Sequence, residues 1–418
     1  MTKKLNSIDL FAGCGGLSQG FENAGFQPLY VNELNHDAME SYLINRDFEH
    51  KYLREKYHSY DIKKNIYQES FFDDLRSGLK KDFRIKDNSI DIVMGGPPCQ
   101  GFSGIGIRRS YSVEKKQLPS NHLFQDMAYF VHKLNPKVFL FENVAGLINS
   151  KWTKDGSKGE IFEDILKTFS DIPKYQVKFK LLHAKDYGVP QNRPRVIIIG
   201  YRNDIFYSEN STHDAVEAGF LPAPTTKAPD LIDVLGDLID ENFEYGGETL
   251  KYPQAARSQF QKMIRTNLDG KIFKKGDHLT DHQYSKHSDL VRKKFQSMID
   301  NNGKILDEFK TKKFAQRLLP KIWTEKGPTI TATSLPDDFV HFSQARTLTV
   351  REWARLQTFP DWYQFSGKRT TGGIRRAGNP RKNIFDREVP KYTQIGNAVP
   401  VKLAEALALH IKKILQHK

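Results

Sequence analysis

Five short runs rich in β-branched and aromatic residues recur between Ser7 and Gly200: Ile8-Asp9-Leu10-Phe11, Pro28-Leu29-Tyr30-Val31-Asn32, Ile90 to Met94, Lys137 to Phe141 and Val196 to Gly200. Their length and composition predict buried strands. Between them, Leu17 to Ala24, Asp37 to Asn45, Leu123 to Leu134 and Ile161 to Phe169 place apolar residues at helical spacing. This alternation predicts an α/β fold, a mostly parallel sheet with helices on both faces. After Tyr201 the periodicity weakens. Pro222, Pro224 and Pro229 punctuate a loop, and basic residues gather from Lys271 to Lys286 and from Lys304 to Lys321, which predicts a second domain or a large insertion. An amphipathic helix from Val401 to about Leu415 closes the chain, and there is no internal repeat or low-complexity tract.

Composition adds a partner. The 418 residues are enough for two domains, and 64 Lys+Arg against 50 Asp+Glu leave a formal net charge of +14. A polyanion is the expected ligand, nucleic acid above others, against the alternative of a merely basic soluble protein. The glycine- and arginine-rich stretch Gly367 to Arg376 reads equally as a solvated loop or as a nucleic-acid contact. Two cysteines, neither in a C-x-x-C pair, exclude a disulfide framework and a cysteine-rich zinc site. With no signal-peptide pattern and no membrane-spanning run, a cytoplasmic protein is expected.

The candidate chemistry lies past strand ends. In Gly95-Gly96-Pro97-Pro98-Cys99-Gln100-Gly101-Phe102-Ser103 one of the two cysteines follows the strand ending at Met94, where ligands collect in open α/β sheets. A lone intracellular cysteine is ordinarily structural. Here the prolines that fix φ and the glycines that admit a ligand mark Cys99 as a nucleophile. Phe11-Ala12-Gly13-Cys14-Gly15-Gly16 follows the first strand and opens a helix, and Glu33 ends the second strand, where a carboxylate can accept both hydroxyls of a ribose. Read from Gly13, the pattern is G-x-G-x-x-S with Ser18 last, so the dinucleotide fingerprint fails. S-adenosylmethionine fits better, having the ribose but no pyrophosphate.

These residues bring a family with them. The chain resembles the DNA (cytosine-5) methyltransferases of bacterial restriction-modification systems over its whole length, with six motifs in the family's order. They are Asp9 to Gly16, Gly96 to Ser103, Glu142-Asn143-Val144, Gln191-Asn192-Arg193-Pro194-Arg195, Arg346 to Pro360, and Gln394 to Pro400. The resemblance implies a Rossmann-like S-adenosylmethionine-dependent methyltransferase sheet with a second, smaller target-recognition domain. Residues 1–200 completed by 391–418 would form the catalytic and cofactor-binding domain, 201–345 the recognition domain, and 346–390 a hinge and basic loop.

It also implies roles. Cys99 would add as thiolate to carbon 6 of cytosine, making carbon 5 nucleophilic. Glu142 would hold a proton at ring N3, for which burial should raise its pKa. Arg195 would hold the O2 carbonyl, with Arg193 supporting it or gripping phosphates. Phe11, Gly13, Gly15 and Pro97 would line the cofactor, Glu33 its ribose, Leu123 its adenine, and Asn397 the far wall of its pocket. Asp61-Ile62 would also meet the adenine, although they stand farther from Cys99 than the family's pattern has it, with Lys63 to Lys86 reading as an insertion. Such a site cannot reach a stacked base, so the cytosine would be flipped out of duplex DNA, and Gly104, Gly106, Arg108 and Arg109 would close over it. The zinc ligands of the deaminases, which also flip cytosine, are absent.

The family implies a monomer that protects DNA from a partner restriction endonuclease. Two other readings stay open: a tRNA methyltransferase of the same fold, and a DNA-binding protein with an idle site, against which Cys99, Glu142 and Arg195 argue together. No arrangement of Arg, Asn or Gln in 201–345 converts into a recognition sequence.

Overall fold

A computed structural model describes residues 4–98, 119–310, 316–325, 327–330, 338–371 and 388–416. Seven strands form its main sheet: β1 Leu5–Leu10, β2 Phe26–Asn32, β3 His58–Ser59, β4 Ile92–Gly95, β5 Val138–Val144, β6 Tyr175–His183 and β7 Pro194–Arg202. Their order is β3-β2-β1-β4-β5-β7-β6. Neighbours from β3 through β5 are parallel, while β7 runs antiparallel to both β5 and β6. All five expected strands are present with shifted ends. β3 and β6 are additional. β3 is two residues long, and β6 is an edge strand that alternates Lys178 and Lys180 with Val177, Phe179 and Leu181 instead of forming an apolar run.

Side-chain alternation along the central strands builds two cores. Phe139 and Phe141 of β5 face one way, with Ile8, Val93 and Ile198, against the helices His36–Ile44, Phe71–Phe83, Leu123–Leu134 and Glu160–Ser170. Val138 and Leu140 face the other way, with Ile92, Met94 and Ile197, against the helices Gly16–Asn23 and Val401–Gln416. These last two approach closely: a Cβ on Gly20 would lie 2.4 Å from Ala404 Cβ. The segment that reads as an insertion is part of the fold. Its helix Phe71–Phe83 buries Phe72, Leu75 and Leu79 in the first core.

Beyond β7 lie the helices Leu231–Leu235, Gln259–Ile264 and Asp289–Asp300 and a parallel pair, β8 Arg317–Leu318 and β9 Phe339–Val340. A third core joins Leu231, Leu235 and Phe339 to Trp353 of the helix Val350–Leu356 and to Tyr392 and Ile395 of the helix Lys391–Asn397. Buried charge pins it. Arg355 meets Asp237 at 2.5 Å and Asp361 at 2.6 Å, Arg265 meets Asp237 at 2.6 Å, and all four side chains are fully buried. Thr349 and Glu352 form a capping box at the start of Val350–Leu356, and Glu352 also pairs with Arg346 at 2.7 Å. No helix among the described residues is long and apolar enough to cross a membrane.

Candidate active site

The parallel strands β1 to β5 all end at one edge of the sheet, so the segments that follow them share it: Phe11 to Gly15, Glu33 to Asn35, Tyr60-Asp61, and Gly96 to Pro98. Because β7 is antiparallel to β5, it starts at this same edge and brings Gln191 to Arg195 there. Register does the rest. Val144 pairs with Arg195 and Glu142 with Ile197, so Glu142 and Arg195 share a face one diagonal step apart. Their side chains meet, Arg195 Nε to Glu142 Oε1, at 2.6 Å, with both only 10% exposed. Burial pushes the Glu142 carboxyl above its ordinary range, and the Arg195 and Arg193 guanidiniums pull against that.

The backbone before Cys99 is fitted to this carboxyl. A Cβ on Gly96 would sit 2.8 Å from Glu142 Oε2, so a larger residue would displace the carboxylate. Asn143 points the other way and donates from Nδ2 to the Pro97 carbonyl at 3.1 Å, fixing the buried Pro97. Cys99 itself, with Gly104, Gly106, Arg108 and Arg109, lies outside the described residues. Cys14 is fully buried, and burial raises its thiol to about 12, which leaves it inert as a nucleophile.

Of the two places expected for Arg193, beside Arg195 or at the phosphates, its burial fits the first. It is 1% exposed and donates to the carbonyls of Ile330, Gly396 (2.7 Å) and Ala398 (3.0 Å). Gln191 donates to the Leu356 carbonyl and to Gln357 Oε1, both at 2.7 Å, and accepts from Ile330 N at 3.2 Å. With Asn192 N bound to the Pro328 carbonyl at 2.8 Å, these residues fasten the segment 327–330 and the turn 396–398 to the start of β7. An arginine without access to solvent cannot grip a phosphate.

The cofactor loop is shaped by left-handed backbone. Gly13 and Gly15 have φ +58 and +86, and Phe11, unusually for an aromatic residue, +57. A Cβ on Gly15 would meet Tyr363 Oη at 2.7 Å, whereas one on Gly13 would meet nothing within 4 Å, so the loop opens to a ligand at Gly13. Glu33 accepts from Gly13 N at 2.8 Å and from Asn35 N at 2.7 Å, and burial raises its pKa. An open glycine beside a fixed carboxylate suits a ribose-bearing cofactor such as S-adenosylmethionine.

The remaining expected contacts divide. Leu123 is half-buried at the start of its helix, and Asn397 is exposed at the end of Lys391–Asn397. Asp61 caps the helix Ile62–Ile66 through Lys63 N at 3.1 Å, one strand over from Glu33. Ile62 is 4% exposed and belongs to the first core. Leu34, not among the residues expected at the cofactor, is 67% exposed between the bonded Glu33 and Asn35. Its signal is an apolar residue amid Asn32, Glu33 and Asn35. The basic loop after Arg355 is clamped at its base by Glu388, which accepts from Lys368 (2.9 Å) and Thr371 (2.5 Å); Gly372 to Arg376 lie outside the described residues.

Comparison with known proteins agrees on kind. A family model described as C-5 cytosine-specific DNA methylase matches residues 5–413. The type II methyltransferase M.DdeI of Desulfomicrobium norvegicum is 31% identical, over 97% of this chain and 88% of that protein. M.BsuRI of Bacillus subtilis is 30% identical, over 97% and 79%. Among solved structures, a prophage-encoded DNA modification methyltransferase of E. coli superposes with TM-score 0.65 at 23% identity, covering 98% of this chain and 99% of that one, which speaks for the fold.

Proposed function

The chain belongs to the C-5 cytosine-specific DNA methylases and is a DNA cytosine-5 methyltransferase of the restriction-modification type, and on that premise we propose that it methylates a flipped cytosine through a covalent Cys99 adduct. The observation that carries this reading is the buried Glu142–Arg195 pair at 2.6 Å, set against the Gly96-Pro97 backbone that leads to Cys99.

The steps follow from the residues. Flipping costs roughly a few kcal/mol of stacking and pairing. The Cys99 thiolate adds to carbon 6, the electrons of the 5,6 double bond shift to C4–C5 and those of C4–N3 onto N3, and Glu142 supplies the proton there, leaving an enamine that is nucleophilic at carbon 5. A carboxyl whose pKa is raised by burial keeps that proton nearer neutral pH. Arg195 donates to O2, where negative charge develops, while its bond to Glu142 orients both groups. Arg193 acts one step back, by holding β7 to the 396–398 turn. Gly13, Gly15, Glu33, Leu34 and Asn397 would hold S-adenosylmethionine, whose sulfonium would supply an electrophilic methyl group and leave as a neutral thioether. Once carbon 5 carries the methyl, loss of its proton restores the double bond and expels Cys99. The protein is then a cytoplasmic monomer that marks DNA against a partner endonuclease.

Incubation with labelled S-adenosylmethionine and either unmethylated duplex DNA or tRNA tests the reading. Label in cytosines of a fixed duplex sequence is the expected result. Label confined to tRNA would overturn it.

A further inference from the structure

Five arginines fall between residues 201 and 345, and four are spent or unsupported. Arg202 is tied to Asp204 and to the Asn88 and Asn135 carbonyls at the opposite sheet edge. Arg265 is buried on Asp237, and Arg292 pairs with Asp289 while lying over Tyr245. Arg257 is exposed, with no ring beneath its guanidinium among the described residues. Arg317 alone combines exposure with support. Its guanidinium carbon stands 4.5 Å from the Phe339 ring centroid, and no carboxylate pairs with it among the described residues.

The small sheet settles where it points. In the parallel pair, Arg317 lies opposite Phe339 and Leu318 opposite Val340. Alternation sends Leu318 and Val340 to one face, where they pack with Phe295 and Met298 of Asp289–Asp300. Phe339 and Arg317 take the other face, and Phe339 there joins the core of Trp353, Tyr392 and Ile395, its ring 6.2 Å from that of Trp353. Arg317 is thus on the side turned toward the catalytic body. A little further along the chain, Pro328 and Ile330 are bonded to Asn192 and Gln191 beside Arg195.

A guanidinium held over an aromatic ring has lost much of its rotamer freedom before any ligand arrives, and its free N–H groups keep the fork that matches the O6 and N7 acceptors of guanine. We propose that Arg317 reads a guanine of the target sequence through the major groove. The inference rests on the DNA reading above. A bidentate arginine–guanine contact discriminates against a wrong base by roughly 10- to 100-fold.

Once the target sequence has been mapped with the wild-type chain, each of its guanines in turn is replaced by 7-deazaguanine, which lacks the N7 acceptor. Wild type, Arg317→Ala and Arg317→Lys are compared on every duplex. Arg317→Ala should lose roughly 10- to 100-fold in kcat/KM on the intact duplex. At one position the wild type should suffer from the replacement and the variant should not. Arg317→Lys keeps the charge but not the planar fork, so it should bind DNA with unchanged salt dependence and discriminate at that one position less sharply than wild type but more than Arg317→Ala. Uniform losses at all positions with a shallower salt slope would make Arg317 a phosphate contact and overturn the proposal, as would wild-type rates in both variants. Unchanged cofactor affinity separates these outcomes from misfolding. A wild-type chain that methylates no DNA defeats the DNA reading itself, and this inference with it.

Discussion

Glu142 is held between two opposed influences, burial that favours its protonated form and Arg195 that favours its charge. That balance is testable through pH. A proton-holding Glu142 makes kcat/KM fall as pH rises through its raised pKa. In Arg195→Gln the larger lowering influence is gone and only that of Arg193 remains, so the alkaline limb should move to higher pH. The loss of an O2 donor should cost about 100- to 1,000-fold in rate. A pH–rate profile with an unmoved alkaline limb would separate Glu142 from the proton at N3. Cys99 and the cofactor loop were legible because they stand just past strand ends, whereas Glu142, Arg193 and Arg195, which lie within or just before β5 and β7, were found through the resemblance to the family's motifs. The contact between Glu142 and Arg195 was not legible, since it depends on the antiparallel register of β5 and β7. Nor was the burial of Arg193, whose acceptors are backbone carbonyls more than a hundred residues away.

Among elements, the helix Gly16–Asn23 bears most directly on the site, because it carries the cofactor loop on its first turn. It docks on Val401–Gln416 through Gly20, whose added Cβ would lie 2.4 Å from Ala404 Cβ and 2.5 and 2.6 Å from the backbone of Glu405 and Val401. Gly20→Ala should therefore destabilise by about 1–3 kcal/mol, despite the higher helix propensity of alanine. Adding Ala404→Gly should restore little, as the backbone contacts remain. Thermal unfolding of the single and double variants checks this, and a stabilised Gly20→Ala would refute the packing. Long apolar runs made five strands and the helices around them readable. β6 was obscured because its lysines alternate with its apolar residues, and Phe71–Phe83 because its place in the family's spacing suggested an insertion while its buried Phe72, Leu75 and Leu79 seat it in the core.

At the scale of the molecule, the catalytic edge is joined to the segment 327–330, between β8 and β9 in the chain, by bonds that link Gln191 and Arg193 to Ile330 and Asn192 to Pro328. The catalytic edge and the segment that carries Arg317 are thereby held in one frame. A net charge of +14 supplies the attraction to DNA. Duplex affinity should accordingly fall steeply with salt, by roughly 1,000-fold or more between 50 and 200 mM if about six phosphates are contacted. A flat salt dependence would show that the basic surface does not contact phosphates.

The whole reaction turns on the bond between Cys99 and carbon 6. A duplex carrying 5-fluorocytosine at the target tests it directly, because fluorine replaces the proton whose loss would expel the thiol. With S-adenosylmethionine, the wild-type chain should form a stable one-to-one complex that survives denaturation and maps to Cys99, and Cys99→Ser should form none. Methylation of the ordinary duplex without any trapped complex, or a complex that maps elsewhere in the chain, would contradict it.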